Sequence, residues 1–160
     1  MTSARLAPGV LQVRIEDPDQ PGVSALLQMA DGYFESLYPR EQNHLLDIGA
    51  LRAADVTFLV ARQDDRIVGC AAIRYHGQDY AEIKRMLVIP EARRRGIGRH
   101  LIEQLQHMAV ESGYSLLRLE TGRKQAEAIS LYRAAGFIER GPFGAYPDAP
   151  MSLFLEKRLD

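Results

Sequence analysis

A strand ending in Val88-Ile89-Pro90 runs into a basic glycine turn, Arg93-Arg94-Arg95-Gly96-Ile97-Gly98-Arg99, and then into a helical stripe of Ile97, Leu101, Leu105 and Met108. Gly113 closes the helix over residues 97–112, and residues 115–120 return as a second apolar strand. A strand, helix and strand joined this tightly form a crossover, which lays the two strands parallel in one sheet. That requirement excludes all-helical and purely antiparallel folds. The turn also carries chemistry. Gly96 and Gly98 let the backbone bend and approach a ligand without a Cβ in the way. The helix start offers unpaired N–H groups and the positive end of its dipole, and Arg93, Arg94, Arg95 and Arg99 surround it. A phosphate-bearing ligand is the natural occupant.

The remaining chain supplies the other strands of such a sheet. Leu11–Ile15 alternates as a strand and is ended by Asp17-Pro18. Residues 21–38 carry the helical stripe Val23, Leu26, Leu27, Ala30, Phe34 and Leu37 behind Pro21, and a short helix is predicted over residues 44–52. Residues 56–61 and 67–75 flank Asp64-Asp65 as a hairpin, and residues 80–89 form a third consecutive strand. A helix over about residues 124–135, closed by Gly136, precedes Phe137-Ile138 and a last strand at residues 151–156. The order is β-α-α-β-β-β-α-β-α-β-β, an α/β mixed sheet with helices on both faces. At 160 residues this is one domain, residues 1–160 with a core at about 10–157.

Charge narrows the ligand. Lys and Arg number 20 against 21 Asp and Glu, a formal balance of −1, so the arginine cluster is local and a general nucleic-acid binder is excluded. Cys70, the single cysteine, follows Gly69 in an apolar run and reads as a buried filler in a reducing compartment. No apolar run reaches membrane-spanning length and the N-terminus has no signal-peptide pattern, so a cytoplasmic protein with no membrane partner is expected. A nucleotide-binding phosphate loop needs Lys-Ser/Thr after its last glycine, where Arg99-His100 stand. A dinucleotide fingerprint needs a third glycine, where Leu101 stands.

What remains, Arg-x-x-Gly-x-Gly from Arg93 to Gly98, resembles the acetyl-CoA pyrophosphate loop of the GCN5-related N-acetyltransferases (GNAT). Ala128-Ile129-Ser130-Leu131-Tyr132-Arg133-Ala134-Ala135-Gly136-Phe137 resembles the family's other hallmark, about 35 residues on. The resemblance spans most of the chain and implies the GNAT fold, with acetyl-CoA as co-substrate and no metal. It places the donor in a wedge between residues 80–89 and 115–120, on backbone groups of Met86 and Val88. A shift of apolar parity between Ile83 and Met86 points to a β-bulge there. Amides and side chains of Arg93, Arg94, Arg95, Gly96, Ile97, Gly98 and Arg99 are implied to hold the pyrophosphate. Gln125 stands where many relatives carry Asn, and it is the remaining candidate for a CoA contact.

Acetyl transfer to an amine needs a deprotonated amine, a polarised thioester carbonyl and a stabilised thiolate. The resemblance makes Tyr132 the acid toward the thiolate, and Glu82, on the central strand, the candidate base, directly or through water. The bland alternative for Glu82 is a salt bridge with Lys84 or Arg85. The acceptor, an amine-bearing small molecule or peptide, is expected between the first two helices and the loop before the last strand, near Tyr38, Glu41, His44 and Tyr146. Tyr33 and Asp148 are nearby candidates. Residues 119–122, 141–146 and 152–157 resemble small bacterial acetyltransferases, some labelled indole-acetate acetyltransferases, although a carboxylate is not an ordinary amine acceptor. A non-catalytic acyl-CoA sensor is the alternative reading, and a homodimer through edge strands stays open.

Overall fold

The computed structural model describes residues 10–39 and 46–160. Strand β1 (Leu11–Ile15) leads to helix α1 (Pro21–Leu37) and the short helix α2 (Ile48–Leu51). Strands β2 (Val56–Gln63), β3 (Arg66–His76) and β4 (Tyr80–Val88) follow as a meander. A 3-10 turn at Pro90–Ala92 then feeds α3 (Ile97–Glu111), β5 (Leu116–Gly122), α4 (Ala126–Ala134), β6 (Ile138–Arg140) and β7 (Ser152–Arg158). This is the expected GNAT-type order. The Asp64-Asp65 hairpin holds because both residues take positive φ, 52° and 66°, matching the twist of the flanking strands.

The second helix differs from its expected span. Asp47 accepts a hydrogen bond from the Ala50 amide at 2.8 Å and starts the helix one residue later, at Ile48. Residues 44 and 45 lie outside the described residues. The last strand runs longer than its apolar alternation suggested, because β7 is sandwiched between β5 and β6 and its polar end pairs too, Leu116 with Arg158.

Seven strands form one sheet in the order β1-β2-β3-β4-β5-β7-β6. Only β4 and β5 are parallel, and their pairing consists of Ala81 with Leu117, Glu82 with Arg118 and Ile83 with Leu119. The bulge is present in β4. Lys84 pairs with Ala72 and Leu87 with Cys70, so Arg85 and Met86 together face Ala71, and Arg85 takes φ 51°.

One face of the sheet is covered by α3 and α4. A Cβ on Gly69 would meet Ile97 and Leu101, and Lys157 reaches Gln106 on α3 and the Ala135 carbonyl at the end of α4. Ile97, Leu101, Ile102 and Leu105 are fully buried there against Ala71, Ile73, Ile83 and Leu119. The opposite face carries the end of α1 over β5 and an aromatic cluster of Tyr80, Phe143, Phe154 and Tyr146. Arg118 lies over the Tyr80 ring and pairs with Glu156 at 2.6 Å. Among the described residues no helix is long and apolar enough to cross a membrane.

Candidate active site

The parallel pairing stops at Ile83 and Leu119, yet β4 continues to Val88 and β5 to Gly122. The two strands therefore part, and among the described residues no strand pairs with β4 on that side. The cleft between them is lined by Phe34, Lys84, Met86, Glu120, Gln125 and Tyr132, among others. Val88 keeps its pairing with Gly69 on the β3 side.

At the mouth of the cleft the chain turns into α3. Arg94 and Gly96 take φ 63° and 83°, so Gly96 has the conformation that glycine adopts without strain. The first amide bonded back into the helix is that of His100, to the Gly96 carbonyl at 3.0 Å, which leaves the amides of Ile97, Gly98 and Arg99 without intrahelical partners. The Ile97 side chain is in the core, so this residue offers only its amide. Arg93, Arg94, Arg95 and Arg99 are exposed. Arg95 borders a hollow with Asp64, Arg66 and Glu91, and Arg99 lies 3.9 Å from Glu103. Gly98 has a packing role that the sequence did not reveal. A Cβ there would lie 2.6 Å from Leu131 Cδ2, so the missing side chain lets α3 and α4 close against each other.

Tyr132 reaches the cleft from α4. It is 5% exposed and packs edge-on against Phe137, and its hydroxyl makes no hydrogen bond to the described residues. Burial pushes its pKa well above the usual phenol value, so it stays protonated near neutrality.

Glu82 sits on the opposite face of the sheet and is 2% exposed. It is not part of the cleft wall. Its Oε2 accepts a hydrogen bond from the Tyr146 hydroxyl at 2.5 Å, and its Oε1 lies 2.8 Å from His76 Nε2. Lys84 Nζ is 3.5 Å from Oε2 and donates to the Tyr146 hydroxyl at 2.5 Å. The salt bridge weighed against a base role for Glu82 thus forms with Lys84, whereas Arg85 turns to Asp31 at 2.6 Å and the Leu46 carbonyl. Burial, then Glu82, pushes the Tyr146 pKa far up. His76 was missed in the sequence. The available signal was hairpin register: pairing His76 with Tyr80 and Arg74 with Glu82 makes His76 a diagonal neighbour of Glu82 on one face.

Two candidates turn toward each other. The Tyr38 hydroxyl packs on Gly122, accepts from the Lys124 amide at 3.0 Å, and accepts from Gln125 Nε2 at 3.3 Å. The Gln125 amide is thus engaged within the protein while the residue borders the cleft. Tyr33 is exposed on α1. Glu41 and His44 lie outside the described residues. Cys70 is fully buried, its Sγ 3.4 Å from the Arg85 carbonyl. Among the described residues no cluster of His, Cys, Asp or Glu is arranged to hold a metal ion.

The model of the acetyltransferase (GNAT) family matches residues 23–137. The chain belongs to the GNAT acetyltransferase family. As a GNAT chain it is 49% identical over 145 residues to an IAA acetyltransferase from Azospirillum brasilense, covering 90% of this chain and 95% of the relative. It is 29% identical to the uncharacterized N-acetyltransferase YsnE of Bacillus subtilis, covering 93% and 100% of the two chains. A solved structure from Klebsiella pneumoniae, provisionally called an acyl-CoA N-acyltransferase, superposes with a TM-score of 0.82 at 30% identity over 94% of this chain and 98% of the other. The GNAT fold is also seen in a Thermoplasma acidophilum PaiA N-acetyltransferase in complex with coenzyme A, with a TM-score of 0.73 at 18% identity over 93% and 99% of the chains. This GNAT protein is accordingly an acetyltransferase-type enzyme.

Proposed function

We propose that the chain transfers an acetyl group from acetyl-CoA to a primary amine of a small molecule or peptide, by direct attack of the amine on the thioester. The observation that supports this most is the Tyr132 phenol on the wall of the split between β4 and β5, buried and without a hydrogen-bond partner among the described residues. The amides of Ile97, Gly98 and Arg99, together with the exposed arginines, suit a pyrophosphate. The unpaired edge of β4 around Met86 and Val88 suits an extended amide-bearing arm, which would add to the sheet as a strand does. Tyr132 gives its proton to the departing thiolate, and Glu82, too buried to meet the amine directly, supports loss of the amine's proton through intervening groups. The polar lining supplied by Lys84 and Glu120 belongs on the acceptor side.

The test is thiol release from acetyl-CoA across polyamines, amino acids, peptide N-termini and aminoglycosides. Indole-acetate joins the panel because the Azospirillum relative is named for IAA. In this assay Tyr132→Phe is expected to lower kcat by about 10- to 100-fold, toward the low end of general-acid effects, with acetyl-CoA affinity unchanged. An unchanged kcat refutes the acid role, and no thiol release from any acceptor refutes the reading.

A further inference from the structure

Between the cleft and Glu82 lies an unbroken chain of short hydrogen bonds. Lys84 lines the cleft and Glu82 does not. Lys84 Nζ donates to the Tyr146 hydroxyl at 2.5 Å, and that hydroxyl donates to Glu82 Oε2 at 2.5 Å. A proton passing from the cleft to the buried carboxylate along these contacts crosses Lys84 first and Tyr146 second. Tyr146 is held as a phenol, so it cannot store charge as a tyrosinate. It can only take one proton as it gives another.

We propose that Lys84 is the catalytic base facing the acceptor amine, with Tyr146 and Glu82 forming the relay that frees it to act. The proposal rests on the N-acetyltransferase reading above and adds the route of the proton. The steps balance. The Lys84 ammonium passes a proton to the Tyr146 oxygen while Tyr146 passes its own to Glu82 Oε2, leaving a neutral Lys84 amine and a carboxylic acid. Lys84 then takes one proton from the acceptor's ammonium, whose freed lone pair attacks the thioester carbon. As the C–S bond breaks Tyr132 protonates the thiolate, and the second proton of the attacking nitrogen returns to the Tyr132 oxygen. This leaves the amide, the free thiol, a Lys84 ammonium and a protonated Glu82. When product leaves, Glu82 returns its proton along the same path to water in the cleft. The pair passes from two charges to none, then carries the single Lys84 ammonium charge, on the residue that borders the cleft, until Glu82 gives up its proton.

His76 is a positioning residue. Its Nε2 holds Glu82 Oε1 at 2.8 Å, and its ring stacks on Tyr80 at 4.4 Å, so Oε2 stays aimed at Tyr146. The other charged or titratable groups around the relay are Arg74 and Arg118, the partners of Glu82 on β3 and β5, the Tyr80 hydroxyl, and Glu120, which acts on Tyr146 from the cleft side. Glu120, held by Ser152 at 2.8 Å, is the competing base.

The experiment compares ethylamine, an ammonium ion near neutrality, with trifluoroethylamine, which its fluorines keep largely neutral there. With ethylamine, Lys84→Met and Tyr146→Phe should each lower kcat by about 100-fold, within the range for general-base loss. With trifluoroethylamine the loss should be under about tenfold, and acetyl-CoA affinity should be unchanged, showing intact folding. His76→Ala should move the basic limb of the kcat profile, and His76→Gln, which keeps an N–H at the Nε2 position, should restore much of it. Equal losses for both probes, or none, overturn the relay. A selective loss in Glu120→Gln with none in Lys84→Met moves the base to Glu120 and overturns it as well. Failure of the wild type with these probes and the whole panel overturns the enzymatic reading, and the relay with it.

Discussion

Replacing Gly122 with alanine should dislodge Tyr38, and the structure sets the size of the effect. An added Cβ would lie 2.0 Å from the Tyr38 hydroxyl oxygen, 2.2 Å from Cζ and 2.8 Å from Cε1, all below the 3.0 Å that real Cβ contacts essentially never breach. Gly122 lies in β5 with no positive φ, so the backbone accepts alanine and the cost is steric. Moving the ring sacrifices the hydrogen bonds from the Lys124 amide and Gln125. Overpacking costs about 1–3 kcal/mol. An orphaned, partly buried amide adds about 1 kcal/mol. The sum, about 2–4 kcal/mol, corresponds to a fall in Tm of roughly 5–15 °C for a domain of this size. Urea and thermal unfolding by circular dichroism measure it. The decisive arm repeats the substitution in a Tyr38→Ala background. With the ring gone, alanine's lower unfolded-state entropy should make Gly122→Ala neutral or stabilising by up to about 1 kcal/mol. A cost that is the same in both backgrounds, or below about 0.5 kcal/mol in the wild type, refutes the reasoning.

Gly96→Val forces a β-branched residue into φ 83° at the start of α3, and calorimetry should show acetyl-CoA binding abolished while the fold persists. Burial pushes the Cys70 thiol up to about 12, so Ellman's reagent at pH 8 should react only at the rate of unfolding. Between the unfolded thiol's 9.0 and that value the native state holds the extra proton, so stability falls as pH rises, and Cys70→Ala should flatten the alkaline limb of Tm against pH. The Arg62 guanidinium holds the Glu16 carboxyl below its ordinary range through bonds at 2.8 and 2.9 Å. That stability is full above the unfolded pKa and is lost as pH falls through the lower folded value, so Glu16→Gln should cost about 1 kcal/mol at pH 7 and much less at pH 3.

Periodicity and turn chemistry made most of the fold legible. The parallel crossover was written in the spacing of Val88, Gly96, Leu101 and Gly113, and the bulge at Arg85 and Met86 showed as broken parity between Ile83 and Met86. The position of β7 between β5 and β6 was not legible, because strand order in a terminal hairpin depends on which edge buries more surface and not on local pattern. The site divided the same way. The anion turn and Tyr132 lie in contiguous motifs. The Lys84–Tyr146–Glu82–His76 chain joins residues up to 70 positions apart, and only the register of β3 on β4 and the fold of the 141–151 segment bring them together. Tyr38 and Gln125 looked like ligand-facing groups since nothing in their local sequence showed that they satisfy each other.

Three residue pairs between β4 and β5 are all that joins the meander of β1–β4 to the block of β5, β7 and β6 within the sheet. Along the backbone, the molecule is two half-sheets meeting at a short seam that runs into a crack. An extended molecule lodged in the crack would hydrogen-bond both lips and act as a splint. Ligand occupancy should therefore register as slower amide exchange on β4 and β5 together, well away from the basic turn at the start of α3.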